Sequence, residues 1–152
     1  MGYDFRSMQP DSETVDRDLI ERLRARGQRV TSQRLVINRM LRARDAHVTA
    51  EEVLTTVSQT LPGTSLPTVY ATLELFEQLG LVRRVSVGGG AVLFDSRTAD
   101  HHHLVCRSCG AVQDLDVDVE LEPALAGARK SGFQPDRAAL VVEGLCVDCR
   151  AK

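Results

Sequence analysis

The four cysteines of this chain fall into two Cys-x-x-Cys pairs, Cys106/Cys109 and Cys146/Cys149, and none lies outside them. Each pair sets two thiolates on one tight turn, and two such turns complete a tetrahedral S4 shell for zinc. Thirty-six residues separate the pairs, against roughly 15 to 20 in a compact zinc finger, so a zinc held there ties together the ends of a whole subdomain. A thiol redox switch or four unligated core cysteines are the rival readings, but cysteines rarely fall by chance into two such pairs, and zinc is the favoured reading. Stable disulfides are not expected, because the chain carries no signal sequence or apolar run long enough to cross a membrane and is expected in the cytoplasm.

The net charge of −2 conceals an asymmetry. Residues 1 to 85 carry 12 arginines against 11 acids, whereas residues 86 to 152 carry 7 basic against 10 acidic side chains. Between Arg22 and Arg44 lie eight arginines and no acid, a stripe suited to a phosphate backbone. Most charge runs are solvated helix faces, but those normally mix signs. The missing acids favour an anionic partner.

After an arm of about 14 residues, a first helix is expected from about Arg17 to Arg26, ended by Gly27. Thr31 can cap a second, to about Ala43. Thr49 and Glu52 form a capping box for a third, which is expected to reach about Leu61, with Val48 and Val53 as a hydrophobic staple. Pro62-Gly63 breaks the chain, and Ser65 caps a fourth helix that tolerates Pro67 in its first turn and ends near Gly80. Leu66, Val69, Leu73, Phe76 and Leu79 line one face of that helix, leaving the opposite face available. The period then switches to two over Leu81–Val85 and Ala91–Phe94, around a Gly88-Gly89-Gly90 turn. Helices followed by a hairpin in this order describe a winged helix-turn-helix, whose fourth helix enters a major groove. An ordinary small α+β domain shares that order, and the arginine stripe tips the balance towards DNA.

The second half is expected to hold strands at His102–Cys106 and Ala111–Leu115, a helix over Val119–Ser131, and a strand over Ala138–Glu143. Such a module has little core and an exposed strand edge, both of which dimerisation or metal would relieve. The fold class is therefore α+β: an N-terminal winged-helix DNA-binding domain over residues 1–96 and a small C-terminal α/β dimerisation domain over 97–152.

All four histidines are chemically suggestive. In a strand, His101 and His103 share a face that His102 does not. Asp95 closes the hairpin, and Asp114 lies where strand pairing could bring it beside His101 or His103. With His47, these give three imidazoles and two carboxylates, a nitrogen and oxygen set suited to Fe²⁺, Mn²⁺ or Zn²⁺. Taken singly, each of these residues is an ordinary surface or turn residue.

Residues 17 to 150 resemble the ferric uptake regulator family. The segments that carry the resemblance are Arg29-Val30-Thr31-Ser32-Gln33-Arg34, Ala46-His47-Val48-Thr49-Ala50-Glu51-Glu52, Thr68-Val69-Tyr70 and His101-His102-His103-Leu104-Val105-Cys106-Arg107-Ser108-Cys109-Gly110. The resemblance implies a homodimeric, non-enzymatic repressor with a structural zinc on the four cysteines and a regulatory metal at the hinge. It is closest to the peroxide-sensing branch, whose regulatory ligands fall on His47, Asp95, His101, His103 and Asp114. Asp rather than Glu at position 114 favours that branch. A third site of some members is not matched by Asp100, His102 and Arg137.

That branch implies Fe²⁺-catalysed oxidation of a ligand histidine, His47 or His101, by hydrogen peroxide. The alternative is a repressor responding only to iron or manganese availability. Arg29 matches the family's minor-groove position, and Thr68 and Tyr70 are the candidate base contacts on a double-stranded operator. Ala71 stands where many relatives carry Arg or Asn, and residues 65 to 82 contain no Lys or Arg. A non-haem Fe(II) enzyme and a zinc-stapled protein-interaction module are rivals from other classes; the arginine stripe and the winged-helix order argue against the first, and salt-sensitive duplex binding separates the second.

Overall fold

Asp11 opens the first helix by accepting the Thr14 N–H at 2.7 Å, a side-chain cap for an otherwise orphaned donor. In the computed structural model, which describes residues 11–44, 47–86 and 91–152, this helix, α1 (Ser12–Ala25), buries Leu19 and Leu23. It begins a turn earlier than the periodicity predicts. The added turn is held by α2 (Ser32–Ala43), whose Asn38 amide donates to the Val15 carbonyl and whose Arg39 pairs with Asp16. At the far end Gly27 adopts φ 63°. Its N–H reaches the Arg24 carbonyl and that of Gln28 the Leu23 carbonyl, a double cap that requires the left-handed conformation glycine adopts without strain.

The capping box of Thr49 and Glu52 is present at the start of α3 (Ala50–Val57). This helix is shorter than expected. Beyond Val57 the Gln59 and Thr60 amides bond to carbonyls three residues back, so the last residues before Pro62 form tight turns rather than α-helix. Ser65 caps α4 (Leu66–Gln78), with Pro67 in the first turn. Gly80, at φ 70°, repeats the double cap of Gly27. Strands β1 (Arg83–Val85) and β2 (Leu93–Asp95) pair antiparallel with Arg83 opposite Asp95; the expected Gly88-Gly89-Gly90 turn lies outside the described residues. Val48 forms an isolated bridge to Phe94. Leu19, Leu23, Ile37, Val53, Val69, Leu73, Phe76 and Phe94 are among the side chains that close into one core. This is the winged-helix unit, residues 11–86 with 91–98.

The second unit, residues 99–152, is built on a three-stranded sheet in the order β4-β3-β5. The strands are β3 (His102–Cys106), β4 (Val112–Leu115) and β5 (Val141–Gly144). Helix α5 (Glu122–Lys130) starts three residues later than predicted. Pro123 explains the delay, since it lacks an N–H and clashes with a carbonyl four residues back unless it sits in a first turn. The strand expected from Ala138 begins at Val141, because the Leu140 N–H is turned to the His102 ring. A short α6 (Val147–Arg150), not anticipated, carries the second cysteine pair with Cys146 as its N-cap. No helix among the described residues is long and apolar enough to cross a membrane.

Candidate metal centres and nucleic-acid interface

Parallel pairing of β3 with β5 sets Cys106 beside Gly144, which brings the two cysteine turns to one end of the sheet. The four Sγ atoms lie within 4.8 Å of one another, and Cys109 and Cys146 are 3.8 Å apart. A tetrahedron with Zn–S of about 2.3 Å has edges of about 3.8 Å, so the thiols stand at the spacing such a shell needs. All four are free thiols. Hydrogen bonds from the Cys109 and Cys146 amides hold the Cys106 thiol down at about 6. For Cys149 a hydrogen bond from Ser108 acts downward, but proton sharing with Cys146 and Cys109 pushes it up to about 11. Crowded thiols cannot all ionise unless a cation replaces the shared proton, which is the service a bound Zn²⁺ performs.

The bridge between Val48 and Phe94 puts their neighbours side by side. His47 Nε2 lies 3.4 Å from Asp95 Oδ2, and the other carboxylate oxygen accepts the Arg97 N–H at 2.8 Å. Asp95 is thus aimed by a local turn of its own chain. In the second unit Asp114 faces His103 across the β3–β4 ladder. His101 Nε2 lies 3.3 Å from Asp114 Oδ1, and the His101 and His103 ring centroids are 4.6 Å apart. The Nδ1 of His101 is 2.8 Å from the Ala99 carbonyl. A carbonyl only accepts, so Nδ1 carries a proton and Nε2 is the ring atom turned toward Asp114, the arrangement in which a metal-ligating histidine is held by its other nitrogen.

Two ligands sharing an ion at about 2.1 Å stand roughly 3.0 to 3.4 Å apart, depending on the angle between them. Both nitrogen–oxygen separations fall in that range and exceed ordinary hydrogen-bond lengths. Each unit therefore offers a His/Asp pair that could ligate a metal. His102 differs: its Nδ1 accepts the Leu140 N–H at 3.1 Å, which ties it to the strand connection. The Arg97 amide and the Ala99 carbonyl, which orient the pairs, were not anticipated, although an Asp two residues before the Arg97 N–H is a legible turn signal.

The arginine stripe is divided in its use. Arg22 pairs with Asp18 at 3.0 Å and donates to the Leu79 carbonyl at 3.0 Å. Arg39 pairs with Asp16, Arg42 donates to the Leu81 and Ser96 carbonyls at 3.4 Å, and Arg44 to the Thr56 hydroxyl at 3.4 Å. Arg34 donates to the Arg29 carbonyl. Acids from α1 neutralise Arg22 and Arg39, so only part of the stripe is left to face an anionic partner. Among the described residues the side chains of Arg24, Arg26 and Arg29 make no ion pair or hydrogen bond, and all three are exposed. On α4, Tyr70 is 38% exposed. Its hydroxyl donates to Glu51 Oε1 at 3.3 Å, while the Thr68 and Ser65 hydroxyls are 2.9 Å apart.

Residues 25–143 match the model of the ferric uptake regulator family. The chain is 37% identical over 133 residues to the transcriptional regulator FurA of Mycobacterium tuberculosis, covering 87% of this chain and 90% of that protein. It is 31% identical over 148 residues to the peroxide-responsive repressor PerR of Staphylococcus saprophyticus, covering 95% of this chain and 100% of the other. The structure of the ferric uptake regulator from Pseudomonas aeruginosa with manganese superposes with a TM-score of 0.63 at 33% identity, over 84% of this chain and 97% of that one.

Proposed function

Because this chain belongs to the ferric uptake regulator family of metal-dependent transcriptional regulators, we propose that it is a homodimeric repressor that senses hydrogen peroxide. Its regulatory Fe²⁺ would be held by His47, Asp95, His101, His103 and Asp114, and a structural Zn²⁺ by Cys106, Cys109, Cys146 and Cys149. The observation that carries this reading is the pair of built His/Asp sets, with nitrogen–oxygen separations of 3.4 and 3.3 Å and no thiolate among the donors. Such a set suits Fe²⁺ or Mn²⁺.

The chain's own residues do most of the work. Arg97 and Ala99 orient Asp95 and His101 through their backbones, so that the ligand atoms are aimed before any ion arrives. When bound, Fe²⁺ would supply the activation of hydrogen peroxide, which Mn²⁺ performs poorly; overall the peroxide would take two electrons from the imidazole of His47 or His101, leaving one oxygen on the ring and the other as water. An imidazole that has gained oxygen is a poorer donor, so the ion would be held less tightly and metal-dependent DNA binding would fall. Arg29, exposed and at the family's minor-groove position, meets the DNA there, and Thr68 and Tyr70 meet base edges. Exposed Val141, Val142 and Phe133, with β5 at a sheet edge, support pairing with a second copy.

The test is operator binding by protein loaded with Fe²⁺ and with Mn²⁺, each before and after micromolar peroxide. Only the Fe²⁺ form should release DNA, with one oxygen atom added to the peptide carrying His47 or His101. Unchanged mass and affinity would replace this reading with a repressor responsive to iron or manganese availability alone. That second reading is favoured by the likeness to the manganese-containing Pseudomonas regulator.

A further inference from the structure

Glu51 occupies the first turn of α3, where Thr49 and Glu52 already complete the capping box. Its carboxylate is therefore not needed to start that helix. Oε1 instead accepts the phenolic O–H of Tyr70 from α4 at 3.3 Å. A phenol carries one proton and two lone pairs. The bond is long and solvent-exposed, and when it tightens on a partner's approach, with the proton held by Glu51, the Tyr70 oxygen presents its lone pairs to that partner.

We propose that Glu51 is a specificity-determining positioning residue, one that makes the Tyr70 hydroxyl an acceptor-only probe of the major groove. This rests on the reading of α4 as the helix that meets DNA. In that groove adenine N6 and cytosine N4 are the donors, whereas guanine O6 and N7 and thymine O4 are acceptors. An acceptor-only oxygen pairs with an adenine or cytosine amino group and is repelled by the acceptor edges of guanine and thymine. The Glu51 charge also keeps the phenol off the phosphates. No Lys or Arg in residues 65 to 82 supplies a competing contact to guanine from α4.

The electrostatics agree with this geometry. Tyr70 ionisation is pushed up, first by desolvation and then by the charge of Glu51 and the hydrogen bond to it. The phenol accordingly stays protonated and keeps its proton directed at the carboxylate.

The test is selection of duplexes from a randomised library by the full-length, zinc-containing protein loaded with Mn²⁺. The parent should prefer adenine or cytosine at one position of each half-site by roughly fivefold or more, the scale of one good base contact. Glu51→Ala should lose that preference and admit guanine or thymine at the same position. Glu51→Gln, which keeps an accepting oxygen, should retain it. Tyr70→Phe should lose it, and the double variant Glu51→Ala/Tyr70→Phe should behave as Tyr70→Phe does. In ultraviolet titration of the free protein, Glu51→Ala should move the Tyr70 phenol to lower pH, with Tyr3 as the internal reference. If the parent selects a duplex and Glu51→Ala leaves base preference unchanged, or shifts affinity equally for all sequences, this inference alone is overturned. A parent that selects no duplex overturns the DNA reading, and this inference with it.

Discussion

Arg39 grips both carboxylate oxygens of Asp16, with Nε donating to Oδ1 at 2.9 Å, so one cation of the arginine stripe is committed to joining α1 and α2. Arg29 has no such engagement. Arg29→Ala should therefore weaken operator binding at physiological salt and reduce the slope of log affinity against log salt by about 1. Arg39→Ala should leave that slope alone and lower the melting temperature slightly. Titrations at several salt concentrations distinguish the two, and equal slopes for both variants would mean that the DNA face has been misplaced.

Purified protein should contain about one zinc per chain that resists mild chelation, because S4 coordination contributes folding free energy directly. Cys106 is buried at the β3 end and receives the Cys146 N–H at 3.4 Å. Cys106→Ser should lose the metal and the stable dimer together, as read by elemental analysis and sedimentation. A folded, dimeric, zinc-free variant would sink the assignment.

Thr64 is a buried hydroxyl whose Oγ1 meets no hydrogen-bond partner among the described residues. An unsatisfied buried group costs about 1 to 3 kcal/mol, while replacing it with an apolar group of the same shape recovers part of that. Thr64→Val should stabilise the winged-helix unit by up to about 1 kcal/mol. By contrast, Thr49→Ala, which breaks the capping box, should cost about 1 kcal/mol. Thermal unfolding measures both, and a Thr64→Val variant that melts earlier than the parent contradicts the account.

Asp114→Glu probes the sensory chemistry. The longer carboxylate can still reach the ion but fills space that peroxide needs, so Mn²⁺-dependent DNA binding should persist while the peroxide response of the Fe²⁺ form falls. Equal peroxide sensitivity in parent and variant would remove position 114 from the sensing mechanism.

Local chemistry was legible in the sequence where it is decided locally. The Thr49/Glu52 box, the glycine stops at 27 and 80 and the His102–Cys106 strand depend on residues a few positions apart, and all are observed. What eluded the sequence depends on distant partners. The first turn of α1 is held by Asn38 and Arg39 from α2, and the acids that neutralise Arg22 and Arg39 lie just outside the acid-free stretch. The helix expected from Val119 starts at Glu122, delayed by the backbone chemistry of Pro123. At the site, strand alternation set His102 apart from His103, and the His102 ring is bonded to the Leu140 amide, a partner 38 residues away. The Ala99 carbonyl that holds the His101 ring carries no side-chain signature at all.

The β3–β5 pairing also governs the order in which the chain can assemble. The helices of the first unit join neighbours close in sequence, and such contacts form quickly because little loop entropy is lost in closing them. Partners in the β3–β5 ladder, such as His103 and Val141, are separated by α5 and both of its connections, so this ladder must enclose a long loop before it gains any stability. The sheet unit should consequently be the slow step of folding. Zinc bridging the two cysteine turns would act as a latch on that loop, trapping encounters of the strands that would otherwise dissolve. Refolding with and without zinc should then differ mainly in the rate at which the second unit appears.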